Sequence, residues 1–168
     1  MRIGLLWVCL LVASVLPLPG QTADARLSRI DELRYFLGQW ECSGKFARSG
    51  AGIEAHLQFE SILDGSFVLF RHDDKPPHNY HAWTEWGWDN ATKQFVAMIQ
   101  DSTVSMRTFH SAGWDTDRLA WEGGSQGNSD QQFVFERVSP EQFRLSYAVY
   151  KDGAWAPVDT STCSRGKR

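Results

Sequence analysis

The side chains able to do chemistry in this chain are few and scattered. His72, Asp73, His78 and His81 crowd into RHDDKPPHNYH, and His78-x-x-His81 is a spacing that a metal ion accepts. No third histidine or cysteine stands at a spacing that completes the set, and Pro76, Pro77 and Asn79 mark the segment as a loop. It therefore reads as solvated, with no metal assigned. His56, His81, His110 and Glu85, with Arg71 or Arg107 as an anion anchor, offer acid–base chemistry if they share a cavity. No carboxylate pair at a diagnostic spacing and no GxSxG elbow accompanies them, so no residue is assigned as catalytic. Isolated titratable residues on strands mostly face solvent.

A second kind of chemistry is stacking. Of the eight tryptophans, Trp83, Trp86, Trp88 and Trp121 lie along stretches that alternate like strands. Rings of this kind lining a cavity would hold a small hydrophobic or aromatic molecule, and they would equally serve to fill a wide core. The expected ligand contacts are Arg71, His81, Trp83, Trp86, Trp88, Met98, Met106 and His110. Asn90-Ala91-Thr92 fits a glycosylation acceptor and reads as a turn.

The elements that must carry these residues are short and alternating. Residues 26–37 place Leu27, Ile30, Leu33 and Leu37 three or four apart, which predicts one short amphipathic helix. Gly38 then lets the chain leave it. From Trp40 onward the period is two, as in Ile53, Ala55, Leu57 and Phe59 set against Glu54, His56, Gln58 and Glu60. Turn signals every 8–12 residues or so cut the chain into about ten strands, the pattern of a sandwich or an up-and-down barrel. Asp64-Gly65 reads as a two-residue hairpin turn, and the following SFVLFRH, apolar on both faces, as a strand covered on both.

Residues 1–25 read as a signal peptide: Arg2, an apolar run to Leu16, prolines at 17 and 19, and a small-x-small cleavage site at 23–25. Cleavage after Gly20 is the other reading. The remaining domain, 26–168, then matures in a periplasmic or extracellular compartment where Cys42 and Cys163 are expected to pair. A formal net charge of −3 with interspersed signs offers no basic tract for nucleic acid and no stripe for anionic lipid. The mature part holds no transmembrane run, and the oligomeric state is not written in the sequence.

The cysteines discriminate between open sheet and closed barrel. If the first strand runs antiparallel to the last with Cys42 facing Cys163, then Trp40 faces Arg165, Gly44 faces Ser161 and Phe46 faces Asp159. That register puts a guanidinium over an indole and joins the two ends of the sheet. The alternative is that the cysteines stay free, or tie a loop to a strand end and close nothing.

These residues resemble a family. The helix followed by Leu37-Gly38-x-Trp40-x-Cys42-x-Gly44 looks like the lipocalin, or calycin, pattern. The chain is more closely similar to small exported lipocalin-like bacterial proteins classed as a domain of unknown function. Leu63-Asp64-Gly65, the segment from Trp86 to Val96, the stretch Gly113 to Gly123 and Cys163-x-Arg165 occur in the same order, across nearly the whole mature chain. Asn90 stands where a proline is common in that turn. The resemblance implies an all-β, single antiparallel barrel of about ten strands with one short N-terminal helix and a cavity for a small, largely apolar molecule. It implies no established activity. Related ten-stranded barrels ligate haem through a histidine near the chain end, but nothing after His110 can do so here, so no cofactor is expected.

Overall fold

A computed structural model describes residues 29–166. The signal-peptide reading of residues 1–25 lies outside them. Strand β1 (Gly38–Phe46) pairs with β2 (Gly52–Ile62), and the meander continues through β3 (Phe67–Asp74), β4 (His81–Asp89), β5 (Gln94–Asp101) and β6 (Met106–Ser111). Strand β7 is only Trp114–Asp115, followed by β8 (Arg118–Ser125), β9 (Gln131–Ser139), β10 (Gln142–Lys151) and β11 (Ala154–Arg165). Pairing of β1 with β11 and of β6 with β8 closes ten of these strands into one antiparallel barrel, leaving β7 outside it on β8. A closed barrel leaves no unpaired sheet edge.

The seam has the register that the cysteines imply. Cys42 opposes Cys163 and is bonded to it, while Trp40 opposes Arg165, Gly44 opposes Ser161 and Phe46 opposes Asp159. The Arg165 guanidinium lies 4.2 Å from the Trp40 ring centroid. It also donates to Leu37 O at 2.8 Å and Tyr35 O at 3.0 Å, carbonyls that the end of the helical segment leaves unbonded. Glycines sit at both closing pairs because the chains come too close for a Cβ. One added at Gly44 would strike Thr160 O, and one at Gly123 would strike the β6 backbone.

The expected helix is shorter than its periodicity suggests. Residues 29–31 are helical, and a 3-10 turn at Arg34–Phe36 follows. Tightening the turn swings Phe36 inward, a residue outside the predicted apolar stripe. Its fully buried ring is stacked 5.3 Å from Phe59 and 5.5 Å from Trp114, with Phe135 edge-on at 5.2 Å. Ile30 and Leu33 are buried beside it. This segment plugs one end of the barrel, and β7 helps to clamp it, Trp114 Nε1 donating to Glu32 O at 2.9 Å.

Two local expectations are corrected. Residues 63–66 make a four-residue connection, because Leu63, Asp64 and Gly65 all have positive φ and Ile62 pairs directly with Phe67. On β3, only Val68 and Phe70 are buried; Phe67 and Leu69 stay half-exposed, with Phe67 resting on Gly87 of β4. Among the described residues nothing covers the outer face of this strand as the barrel interior covers the other.

Candidate functional site

Strand parity decides what enters the barrel. From the seam, Trp40 and Cys42 face inward, and alternation carries Leu57 and Phe59, Val68 and Phe70, Thr84 and Trp86, Phe95 and Ala97, Phe109, Trp121, Phe135 and Phe143 in with them. At the plugged end these side chains are large rings in mutual contact: Phe59 on Phe70 at 4.3 Å, Trp86 on Trp121 at 5.1 Å. Toward the other end the inward positions shrink to Ala55, Ala82, Ala97 and Ser161. The difference leaves a cavity of about 290 Å³, walled by Phe70, Trp86, Ile99, Phe109, Trp121 and Leu145 among others. The indole Nε1 of Trp121 is buried and has no hydrogen-bond acceptor among the described residues.

At the end away from the plug the lining becomes polar. Arg107 of β6 is tied to Asp101, the last residue of β5, at 2.7 Å, with side chains only 10% and 2% exposed. The same guanidinium donates to Gln131 Oε1 and to Tyr80 OH, both at 2.9 Å. Burial acts to raise the Asp101 carboxyl, but donors from Thr103 and the charge of Arg107 outweigh it and hold the group below the ordinary carboxylate range. Burial pushes the Tyr80 hydroxyl up to about 12, against the pull of Arg107. On β3, His72 and Asp74 both point inward and are hydrogen-bonded at 2.8 Å. Across the seam, Asp159 faces the same space, and Tyr147, stacked on Phe133 at 4.6 Å, stands opposite it on β10. Burial drives Asp159 up to about 6; nearby His72 opposes the rise and Asp74 adds to it.

Of the eight expected ligand contacts, Trp86 is in the cavity wall. Arg71, His81, Trp83, Met98, Met106 and His110 have the opposite parity and lie outside, because a side chain one residue along a strand points to the other face. Arg71 lies over the Trp83 ring at 5.0 Å on the outer surface, where Trp83 is 58% and Met106 is 74% exposed. His81 is bonded to Asp73 at 2.7 Å. Trp88 shares the inward parity of Trp86 but sits below the cavity near the plug, under the Arg29 guanidinium at 4.3 Å.

The acid–base set dissolves for the same reason. His56 pairs with Glu41 on the outer face at 3.0 Å, and neither His81 nor His110 lines the cavity; Glu85 is also outside. Arg107 alone of that set enters. His78 contacts the Gly52 carbonyl at 3.0 Å, and among the described residues no three His, Cys, Asp or Glu side chains converge as metal ligands. Asn90-Ala91-Thr92 forms the β4–β5 turn, with Asp89 accepting from Ala91 N and Thr92 Oγ1. Sequence reasoning passed over His72, Asp74 and Asp159 as inward groups. The signal for Asp159 was present in the seam register, which already placed it opposite Phe46.

No protein-family model matches the chain, and no curated protein matches it. Among solved structures, the chain is similar to a de novo designed fluorescence-activating β-barrel, with 11% identity over 81% of this chain and 98% of that one and a TM-score of 0.43. It is also similar to EF1p2_mFAP2b bound to DFHBI, again at 11% identity, over 82% of this chain and 99% of that one, with a TM-score of 0.44. The likeness is one of fold. The chain is an all-β closed barrel on its own strand pairings. Among the described residues no helix is long and apolar enough to cross a membrane.

Proposed function

We propose that this chain is an exported, lipocalin-like carrier that holds one small, largely apolar molecule in its barrel without transforming it. The observation that carries the reading is the cavity of about 290 Å³ beneath a polar mouth. That volume is near the lower end of small-molecule sites and equals the liquid share of about ten waters. Its wall is mainly aliphatic and aromatic, so a molecule entering it gains about 25 cal/mol for each Å² of apolar surface withdrawn from water. The unpartnered Trp121 N–H leaves one donor in that wall for an oxygen on the occupant. The family placement rests on the sequence motifs. Export is supported by the leader-like residues 1–25 and by the Cys42–Cys163 disulfide, a bond at home in oxidising compartments.

The test is titration with 1-naphthalenemethanol, an uncharged aromatic alcohol, followed by tryptophan fluorescence and by native mass spectrometry. One molecule per chain is expected. Ala97 is buried in the cavity wall between Trp86 and Phe109, so Ala97→Phe should fill the void and weaken binding at least tenfold while the barrel stays folded by circular dichroism. Failure of the unaltered chain to bind this alcohol or its isosteric amine and acid, or undiminished binding by the variant, would overturn the reading.

A further inference from the structure

The cationic groups at the mouth are already committed, and one carboxylate is left over. Among the described residues, Asp101 of β5, Asp74 of β3 and Asp159 of β11 bring carboxylates to this end, and Asp130 lies close enough to act on Tyr147. Arg107 of β6 is bound to Asp101, Gln131 and Tyr80. His72 of β3 is bound to Asp74. Asp159 has His72 and Asp74 as charged neighbours and no hydrogen-bond donor among the described residues. Its partners on the flanking strands are aromatic, Phe46 on β1 and Tyr147 on β10, and Tyr147 already donates to Gln131 of β9. Among the described residues Arg107 keeps one unpartnered donor, its Nε, but its charge is already offset by Asp101, so a bound carboxylate would meet surplus negative charge. An ammonium would meet an unpaired carboxylate with aromatic residues on both neighbouring strands, surroundings that favour a cation.

We infer that the occupant is an organic cation, a small apolar amine whose body fills the cavity and whose ammonium sits at the mouth against Asp159. This rests on the carrier reading above and adds the sign and position of the ligand's charge. Ammonium groups of this kind remain protonated far above neutral pH. The pH dependence therefore belongs to the protein: the attraction is complete while Asp159 is ionised and declines as acid protonates it. The other charged or titratable groups at this end are His72 and Asp74 of β3, Asp101 of β5 and Arg107 of β6, together with Tyr80 and Tyr147, whose hydroxyls burial keeps protonated.

The experiment compares three isosteric probes, 1-naphthylmethylamine, 1-naphthalenemethanol and 1-naphthoic acid, by calorimetric titration at pH 7.5 and pH 5. At pH 7.5 the amine should bind at least tenfold more tightly than the alcohol, and the acid more weakly than either. The amine's advantage should shrink severalfold at pH 5 in the unaltered chain, a readout that needs no variant. Asp159→Asn should abolish the amine's preference over the alcohol at pH 7.5, with folding of the variant checked by circular dichroism. Alcohol binding with no amine preference, or a preference that survives in Asp159→Asn, overturns this inference and leaves the carrier reading standing. Binding of none of the three overturns both.

Discussion

Replacing Arg107 by methionine tests whether the polar mouth is the interdependent network its geometry describes. The substitution keeps most of the apolar stem and deletes the charge, so Asp101 is left 2% exposed with its main counterion gone. Removing one partner of a buried ion pair costs about 3–5 kcal/mol. Asp101 keeps the Thr103 hydroxyl at 2.5 Å, the Thr103 amide at 2.9 Å and a long contact from Ser105 N at 3.4 Å, so the lower figure, about 3 kcal/mol at pH 7, is expected. The sign of the pH dependence follows from the carboxyl. In the unaltered chain its pKa lies below the ordinary value, so its stabilisation is present above the unfolded pKa near 3.9 and is lost as pH falls through the folded one. Without Arg107 one of the influences that lower Asp101 is lost, and its folded pKa rises relative to that in the unaltered chain, while the Thr103 donors still oppose its desolvation. The penalty is then complete at pH 7 and lifts as pH falls through that raised value, by up to about 1.4 kcal/mol per unit. Urea unfolding in steps from pH 7 to pH 3 gives the difference between variant and unaltered chain, in which the other titrations cancel. Adding Asp101→Asn should restore part of the loss, since the stranded charge is gone. A cost below about 1 kcal/mol at pH 7, or one that does not change with pH, would refute the reasoning.

The remaining predictions concern the seam. Replacing both cysteines by serine frees a 121-residue separation, for which the chain-entropy relation gives a loss of about 5 kcal/mol, to be read as a lower urea midpoint. A midpoint no lower than that of the oxidised chain would mean the pairing with β11 is held wholly by its neighbours. Arg165→Gln removes the guanidinium from Trp40 and from two carbonyls of the plug; about 2–3 kcal/mol should be lost, with faster amide exchange at residues 34–40 and little change at β4 and β5. Uniform destabilisation without that local exchange would deny Arg165 its role in holding the plug.

Architecture was legible because it is written in periodicities. Alternation in residues 53–60 marks a strand with one wet face, and two cysteines fix a register from which Trp40–Arg165 and Phe46–Asp159 follow by counting. The N-terminal segment was harder to read, because burial of Phe36 depends on a 3-10 turn that local propensity does not encode. The site was harder still. Choosing Trp83, Met98 and Met106 as ligand contacts followed residue type, and type is a poor guide to which face of a barrel strand a side chain occupies. Parity propagated from Cys42 gives the opposite selection, since the inward members are then Ala82, Trp86, Ala97 and Arg107. What no periodicity conveys is that Asp74 and Asp159, on strands far apart in sequence, meet across the mouth.

The placement of these polar groups argues that they serve something other than stability. A buried ion pair replaced by apolar side chains of similar volume is often neutral or stabilising, so Arg107 and Asp101 are not explained by the fold alone. The plugged end shows what this barrel does where only packing is at stake: Phe36, Phe59, Trp86, Phe135 and Phe143 fill it ring against ring. The open end has the same inward geometry and a different filling, with alanines in place of rings and His72, Asp74, Asp101, Arg107 and Asp159 around them. Desolvating such groups costs free energy that an apolar filling would not incur. The pairs His72–Asp74 and Arg107–Asp101 offset that cost locally, and Asp159 does not share in it. An unpaired carboxylate above a cavity is stable enough to keep only at the entrance, where water reaches it when the barrel is empty and where the proposed cation would replace that water.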